Sequence, residues 1–253
     1  MQNKQSLLST KNIMIMGMIA GIAFLMAATL RFPVIPAVGF LRFDPKDIVI
    51  VIGGFILGPL ASLIIAVVVS LVQMFTTSST GLIGFFMNVV SSVAFACTAA
   101  YIYSKKRTLS GAVIGLAAGI VIMTVAMVLW NYILTPIFMG WPRPAVVAIL
   151  WTGIVPFNLF SGVLNSAIIL LIYKPITAGL VAANLIPAKS KQAGTRKIFN
   201  PALIAITSFV ILTAVVLLAI WQGWFADDQG YYNGDADNGA YHQTYEHYEE
   251  NND

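Results

Sequence analysis

The chain has 253 residues, of which 58% are hydrophobic and only 9% are charged, and its mean hydropathy is +0.85. This composition is typical of a membrane protein with several crossings and leaves no room for a soluble catalytic domain. The net charge of +4 hides a segregation, because eight of the ten acidic residues lie in 227–253. The basic residues flank apolar segments, which favours a role in membrane orientation over nucleic-acid binding.

The apolar segments predict seven transmembrane helices. After the first helix, an uncharged run extends from Ile48 to Ser104, which is too long for one crossing of about 20 residues. The Gly58-Pro59 pair is a helix breaker and divides this run after a short helix. In chain order, the predicted helices are 13–30, 47–57, 60–76, 84–103, 110–137, 147–173 and 202–221.

Clusters of basic residues predict the orientation, since Lys and Arg accumulate in cytoplasmic loops. The densest clusters are Lys105 to Arg107 and the segment 174–197, and two lysines precede the first helix. All three are cytoplasmic only if an even number of helices separates each from the next. The predicted organisation is a cytoplasmic N-terminus (1–12), a six-helix substrate-binding membrane domain (13–176), a basic cytoplasmic linker (177–201), an additional transmembrane helix (202–221) and an acidic, disordered extracellular tail (222–253).

Amides are the polar side chains that we expect inside the membrane. Asn131 lies between Trp130 and Tyr132, and Asn158 follows a Pro-Phe pair. An amide offers one acceptor and two donors, so it can hydrogen-bond the edge of a flat heterocycle that packs on neighbouring aromatic rings. Asn158 and Ser161 also share a helix face. The alternative is that these amides only hydrogen-bond neighbouring helices.

We expect no titratable side chain within the membrane segments. This excludes proton relays and intramembrane hydrolysis by paired acids or a bound metal, so neither an enzyme nor a metal site is predicted. The chain has no Walker A motif, G-x-x-x-x-G-K-[ST]. If ATP is used, it must therefore be hydrolysed by another chain.

Small residues recur at helical spacing in the first helix. Gly17 and Gly21 are four residues apart, as are Ala23 and Ala27, and Ala20 lies between the pairs. Small residues at this spacing let another helix approach closely. They predict either a docking face for a partner protein or tight packing within this chain.

Four further segments form a pattern. They are Leu41-Arg42-Phe43-Asp44-Pro45-Lys46-Asp47, Gly58-Pro59-Leu60-Ala61, Trp130-Asn131-Tyr132 with Pro136, and Gly153-Ile154-Val155-Pro156-Phe157-Asn158 with Gly162. In their order and spacing they resemble the substrate-binding S-components of energy-coupling factor (ECF) vitamin transporters, and among these the riboflavin-specific subfamily. The resemblance covers about 13–176.

The resemblance implies a high-affinity vitamin-binding subunit in the plasma membrane, with riboflavin as the foremost ligand and no enzymatic activity. The first helix would dock on a membrane coupling protein, and two cytosolic ATPases would use ATP to drive uptake. Contacts with the flavin ring are implied for Asn131 and Asn158, and a further one for Asn88. The candidate binding residues are Asn131, Asn158, Asn88, Ser161, Gln73, Asp44 and Tyr132.

Two features depart from the family pattern. Ser161 stands where riboflavin-specific members commonly have Lys, which admits another heterocyclic vitamin or precursor, such as a pyridoxine- or pyrimidine-type compound. The helix at 202–221 is an addition to the six helices of S-components. A membrane assembly protein without a transport function, in which the amides join helices, is the remaining alternative.

Overall fold

The structure is a computed structural model, and it is built of helices with one short hairpin. It describes residues 7, 9–34, 41–78, 80–182, 208, 212 and 213. The helices are α1 (Thr10–Thr29), α2 (Lys46–Leu57), α3 (Pro59–Thr76), α4 (Gly81–Lys105), α5 (Leu109–Met139), α6 (Arg143–Ile149) and α7 (Val155–Ala182), and the antiparallel strands are β1 (Phe32–Pro33) and β2 (Arg42–Phe43). A π-helical turn, Leu150–Ile154, joins α6 to α7 without a break.

Five helical segments are long and apolar enough to cross a membrane: α1, α3, α4, α5 and the continuous segment from α6 into α7. The helix α2 has only 12 residues, so it is about 18 Å long and reaches roughly halfway across the hydrocarbon layer. It contacts α1, α3, α4 and α7, and these neighbours bury most of its surface. The predicted all-α membrane fold is confirmed.

The break between α2 and α3 occurs at the predicted Gly58-Pro59 pair. Gly58 has a φ of +106°, which a residue without a side chain adopts at little cost. Pro59 occupies the start of α3, where a helix needs no backbone N–H donor. By contrast, the predicted linker beyond residue 182 and the tail at 222–253 lie outside the described residues, as does the additional helix at 202–221 apart from three of its positions.

The bundle has two chemically different ends. The hairpin end contains β1, β2 and the start of α2, while the basic end contains Lys105 to Arg107 between α4 and α5. At the basic end, three aromatic residues join α2, α4 and α7. The ring of Phe55 stacks on Tyr103 with centroids 4.3 Å apart, and the hydroxyl groups of Tyr103 and Tyr173 hydrogen-bond each other.

The helices α4 and α5 approach each other closely in the half nearer the basic end. A Cβ atom added at Gly115 would lie 2.7 Å from the backbone oxygen of Ala99, and one added at Gly119 would lie 2.7 Å from that of Phe95. Glycines spaced four residues apart therefore bring the two backbones together on one helix face.

Candidate functional site

A pocket of about 350 Å³, including the part open to its surroundings, lies between α4 and α5 at the hairpin end. Its walls are mostly apolar, and the residues of α5 that line it share one helix face. A mostly apolar wall with a few polar groups is typical of small-molecule sites. The lining residues are Thr80, Ile83, Met87, Asn131, Leu134, Thr135, Phe138 and Met139.

Asn131 is the amide of this pocket and is fully buried. Its Nδ2 atom donates a hydrogen bond to the backbone oxygen of Met127 at 2.8 Å. Its Oδ1 atom accepts one from the hydroxyl group of Thr135 at 3.2 Å. The neighbouring Tyr132 is not among the lining residues; it is 40% exposed, and the guanidinium carbon of Arg143 lies 5.7 Å from its ring centroid.

The second predicted amide, Asn158, is buried in α7 just after the π-helical turn. Its Nδ2 atom donates to the backbone oxygen of Ile154 at 2.7 Å. Below it on the same face, Ser161 Oγ and Asn165 Oδ1 are buried without a hydrogen-bond partner among the described residues. An unpaired buried polar atom costs about 1–3 kcal/mol, which favours contact of this face with the polar groups of a ligand.

Three helices and the hairpin region converge on the carboxylate of Asp44. The ammonium group of Lys46 donates to Asp44 Oδ2 at 2.8 Å and to Asn88 Oδ1 at 3.3 Å. Gln73 Nε2 also donates to Asp44 Oδ2, at 2.9 Å, and Arg31 Nε lies 3.8 Å from the same oxygen. We refer to Arg31, Asp44, Lys46, Gln73 and Asn88 as the Asp44 cluster.

Opposite charges set the ionisation of Asp44, which precedes α2. Burial raises the pKa of the carboxyl group, but the Lys46 ammonium, the Gln73 amide and the more distant Arg31 together outweigh burial and hold that pKa below its usual range. The carboxylate is therefore charged at neutral pH, and its hydrogen bonds are those of an ion.

Lys46 and Asp47, at the border of the predicted uncharged segment, are buried in the bundle. Lys46 is 2% exposed and Asp47 is 7% exposed, both in the first turn of α2. Ser92 donates a hydrogen bond to Asp47 at 2.5 Å, and the helix N-terminus is a favourable place for a negative charge. The charge of Lys46 is tolerated here because its ammonium group is paired with Asp44 and also donates to Asn88.

Six of the seven predicted binding residues thus form three groups in the structure, and Tyr132 belongs to none of them. Asn131 lines the pocket, Asn158 and Ser161 share a buried face of α7, and Asp44, Gln73 and Asn88 lie together in the Asp44 cluster. Sequence reasoning missed Lys46 and Thr135. The four-residue spacing from Asn131 to Thr135 on one helix was a usable signal, whereas the pairing of Lys46 with Asn88 joins residues that are 42 positions apart.

The small residues of α1 divide between two faces. Ala23 and Ala27 are buried inside this chain's own bundle. Gly17 and Gly21 are exposed, with no atom within 4 Å of the place that a Cβ would take, and Ala20 is half-buried. The small residues of α1 that this chain's own bundle leaves uncovered are therefore Gly17 and Gly21, and in part Ala20.

Comparison with known proteins gives a consistent result. The family described as "ECF transporter, substrate-specific component" matches residues 11–173. The "Riboflavin transporter RibU" of Staphylococcus aureus (strain TCH60) is 28% identical over 179 residues, which are 68% of this chain and 94% of the relative. The "Riboflavin transporter FmnP" of Bacillus subtilis (strain 168) is 27% identical over 180 residues, 66% of this chain and 92% of the relative.

A solved structure, described as the S component of a bacterial ECF transporter, has the same fold. It matches with a TM-score of 0.56 and 27% sequence identity, covering 66% of this chain and 96% of the other. The family match ends at residue 173, ahead of the predicted linker, additional helix and tail.

Proposed function

The chain belongs to the family of ECF transporter substrate-specific components, and we propose that it binds riboflavin for uptake across the plasma membrane. It is a multi-pass membrane transport component and not an enzyme. The observation that carries the proposal is a buried amide, Asn131, in an otherwise mostly apolar pocket. The flavin ring is flat and largely apolar, and one edge has an N–H group between two carbonyls, so the pocket and the ring complement each other.

The names of the relatives support riboflavin over the pyridoxine- or pyrimidine-type alternatives that Ser161 had left open. Both relatives described above are named riboflavin transporters. An assembly protein that uses its amides only to join helices is also disfavoured, because Asn131 and Asn158 each bond a carbonyl of their own helix.

We assign direct contact with the ring edge to Asn131 and Asn158, and contact with hydroxyl groups of the ligand to Ser161. The polar atoms of these residues are buried in apolar surroundings, where a hydrogen bond to a ligand is not in competition with water. The other predicted residues have supporting positions. Asp44 and Gln73 hold Asn88 in place through Lys46, and Tyr132 lies beside the pocket with Arg143.

We further propose that the hairpin end faces the outside and the basic end faces the cytoplasm. The support is the basic cluster from Lys105 to Arg107, and this orientation places the N-terminus inside and the acidic tail outside. A membrane coupling protein would dock on the open side of α1, at Gly17, Ala20 and Gly21, together with two cytosolic ATPases that use the ATP.

Titration of the purified full chain with riboflavin tests this function. We expect quenching of flavin fluorescence, and we expect Asn131→Ala or Asn158→Ala to weaken binding by tenfold or more, about 1.4 kcal/mol. Asn12→Ala, at the opposite end of α1 from the hairpin, is the matched control and should bind like the wild type. A wild-type protein that does not quench riboflavin, or two site variants that bind it normally, would contradict the proposal.

A further inference from the structure

Three polar residues line the pocket, and Thr135 is the one whose side chain is bonded to Asn131. Its side chain is 6% exposed and lies one helical turn beyond Asn131. Both residues line the pocket, and their side chains are joined by the hydrogen bond of 3.2 Å described above.

The surroundings of Asn131 determine which way its amide points. The backbone oxygen of Met127 can only accept a hydrogen bond, so the atom 2.8 Å from it must be the nitrogen of the amide. The oxygen of the amide then faces Thr135, and the hydroxyl group of Thr135 has to donate. Turning the amide over would place two carbonyl oxygens against each other.

After these two bonds, Asn131 has one N–H group and one lone pair left for a ligand. A donor and an acceptor side by side match a ring edge on which a carbonyl stands next to an N–H, as in a lactam or an imide. The geometry points to Thr135 as a positioning residue that determines specificity: it holds Asn131 so that the pocket selects such an edge. The inference rests on the proposed function, since the flavin ring has an edge of this kind.

Two flavins separate this role from a merely structural one. Riboflavin has the N–H, while in 3-methylriboflavin a methyl group replaces that hydrogen. The full purified chain is titrated with both, as wild type, Thr135→Val and Thr135→Ser. The matched control is Thr124→Val, a buried threonine of the same helix whose hydroxyl group bonds the backbone oxygen of Ile120 at 2.8 Å.

We expect the wild type to prefer riboflavin clearly. In Thr135→Val, the dissociation constant for riboflavin should rise about tenfold, because the amide is no longer held on its oxygen side. The preference for riboflavin over 3-methylriboflavin should become smaller, because the amide oxygen that accepts from the ring N–H is then no longer held in place. Thr135→Ser should stay within about twofold of the wild type, and Thr124→Val should change neither value.

Several results would overturn the inference. One is a Thr135→Val protein with wild-type affinity and preference, and another is the same loss in Thr124→Val. Thr135→Ala provides a second deletion of the hydroxyl group, should valine not be accommodated. A wild type that binds both flavins equally overturns the inference and leaves the proposed function standing, whereas a wild type that binds neither overturns both.

Discussion

The two halves of the α4–α5 pair use the same helices in opposite ways. Toward the basic end, Gly115 and Gly119 bring the backbone of α5 against that of α4. Toward the hairpin end, large side chains of both helices, such as Met87 and Phe138, line a pocket. Side-chain volume along one helix therefore decides where a bundle is closed and where it has room for a ligand.

A closed half is held by packing, so the half with the pocket needs another means of support. The Asp44 cluster provides it for the α4 wall, because its hydrogen bonds connect Asp44, ahead of α2, with α2, α3 and α4 at the hairpin end. Polar bonds can hold helices in place around a space that apolar packing would fill.

Removing the central carboxylate should have the largest effect. In Asp44→Ala, the ammonium group of Lys46 stays buried and loses its charged partner, so the free energy of unfolding should fall by about 3 kcal/mol. Thermal unfolding of the purified protein measures the loss. Arg42→Ala, which removes an exposed cation from the same hairpin, is the control and should change little.

A double variant sharpens this result. Asp44→Ala combined with Lys46→Met removes both charges, so it should recover part of the lost stability. If Lys46→Met lowered the stability of Asp44→Ala by as much as it lowers that of the wild type, the Asp44–Lys46 pair would not be what supports the hairpin end.

Filling the closed half should have the next largest effect. In Gly119→Leu, the new side chain meets the backbone oxygen of Phe95, which cannot move aside. Overpacking of this kind should lower the free energy of unfolding by about 1–3 kcal/mol. Gly179→Leu is the matched control, because no atom lies within 4 Å of its added Cβ. Equal unfolding temperatures for the two variants would show that α4 and α5 are not closed at the glycines.

Filling the pocket should affect binding and leave stability nearly unchanged. In Ile83→Trp, the larger side chain occupies space between α4 and α5, so riboflavin binding should weaken by more than tenfold, about 1.4 kcal/mol. The control is Ile114→Trp, because Ile114 is 54% exposed on the surface of α5. Fluorescence titration and thermal unfolding are measured on both variants. Retained binding by Ile83→Trp would place the ligand elsewhere.

Up to residue 182, the sequence was sufficient to predict the helices, because hydropathy and a Gly-Pro break are local properties. Even the half-length α2 could be predicted from Gly58-Pro59 and the parity of the basic clusters. The site was only partly accessible. The aromatic and proline neighbours of Asn131 indicate a site at this residue. The pocket wall also includes Ile83 and Met87 of another helix, and whether their side chains reach the pocket depends on how the helices pack.

The charged residues show the limit more clearly. A scan for uncharged runs treats Lys46 and Asp47 as the border of the membrane segment, whereas in the fold both are buried. Their burial depends on Asn88 and Ser92, which are more than 40 residues away along the chain. Composition cannot reveal such pairing. The spacing of Gly115 and Gly119 is visible in the sequence, but the sequence does not show that these glycines face α4.

The smallest effect is expected when the pH is lowered. It should change the contribution of Asp44 at the hairpin end and leave the glycine contacts of the closed half unchanged. The pKa of Asp44 is lower in the folded chain than in the unfolded chain, so its contribution to stability is fully present above the unfolded value, about 3.9. The contribution is lost as the pH falls through the lower folded value. The stability difference between the wild type and Asp44→Asn should therefore be constant from pH 8 to about pH 5 and shrink below about pH 4. Gly119→Leu acts through packing alone, so its difference from the wild type should stay the same over that range. Thermal unfolding against pH measures both, and parallel curves for wild type and Asp44→Asn down to acid would show that the carboxylate is not stabilised by its charge.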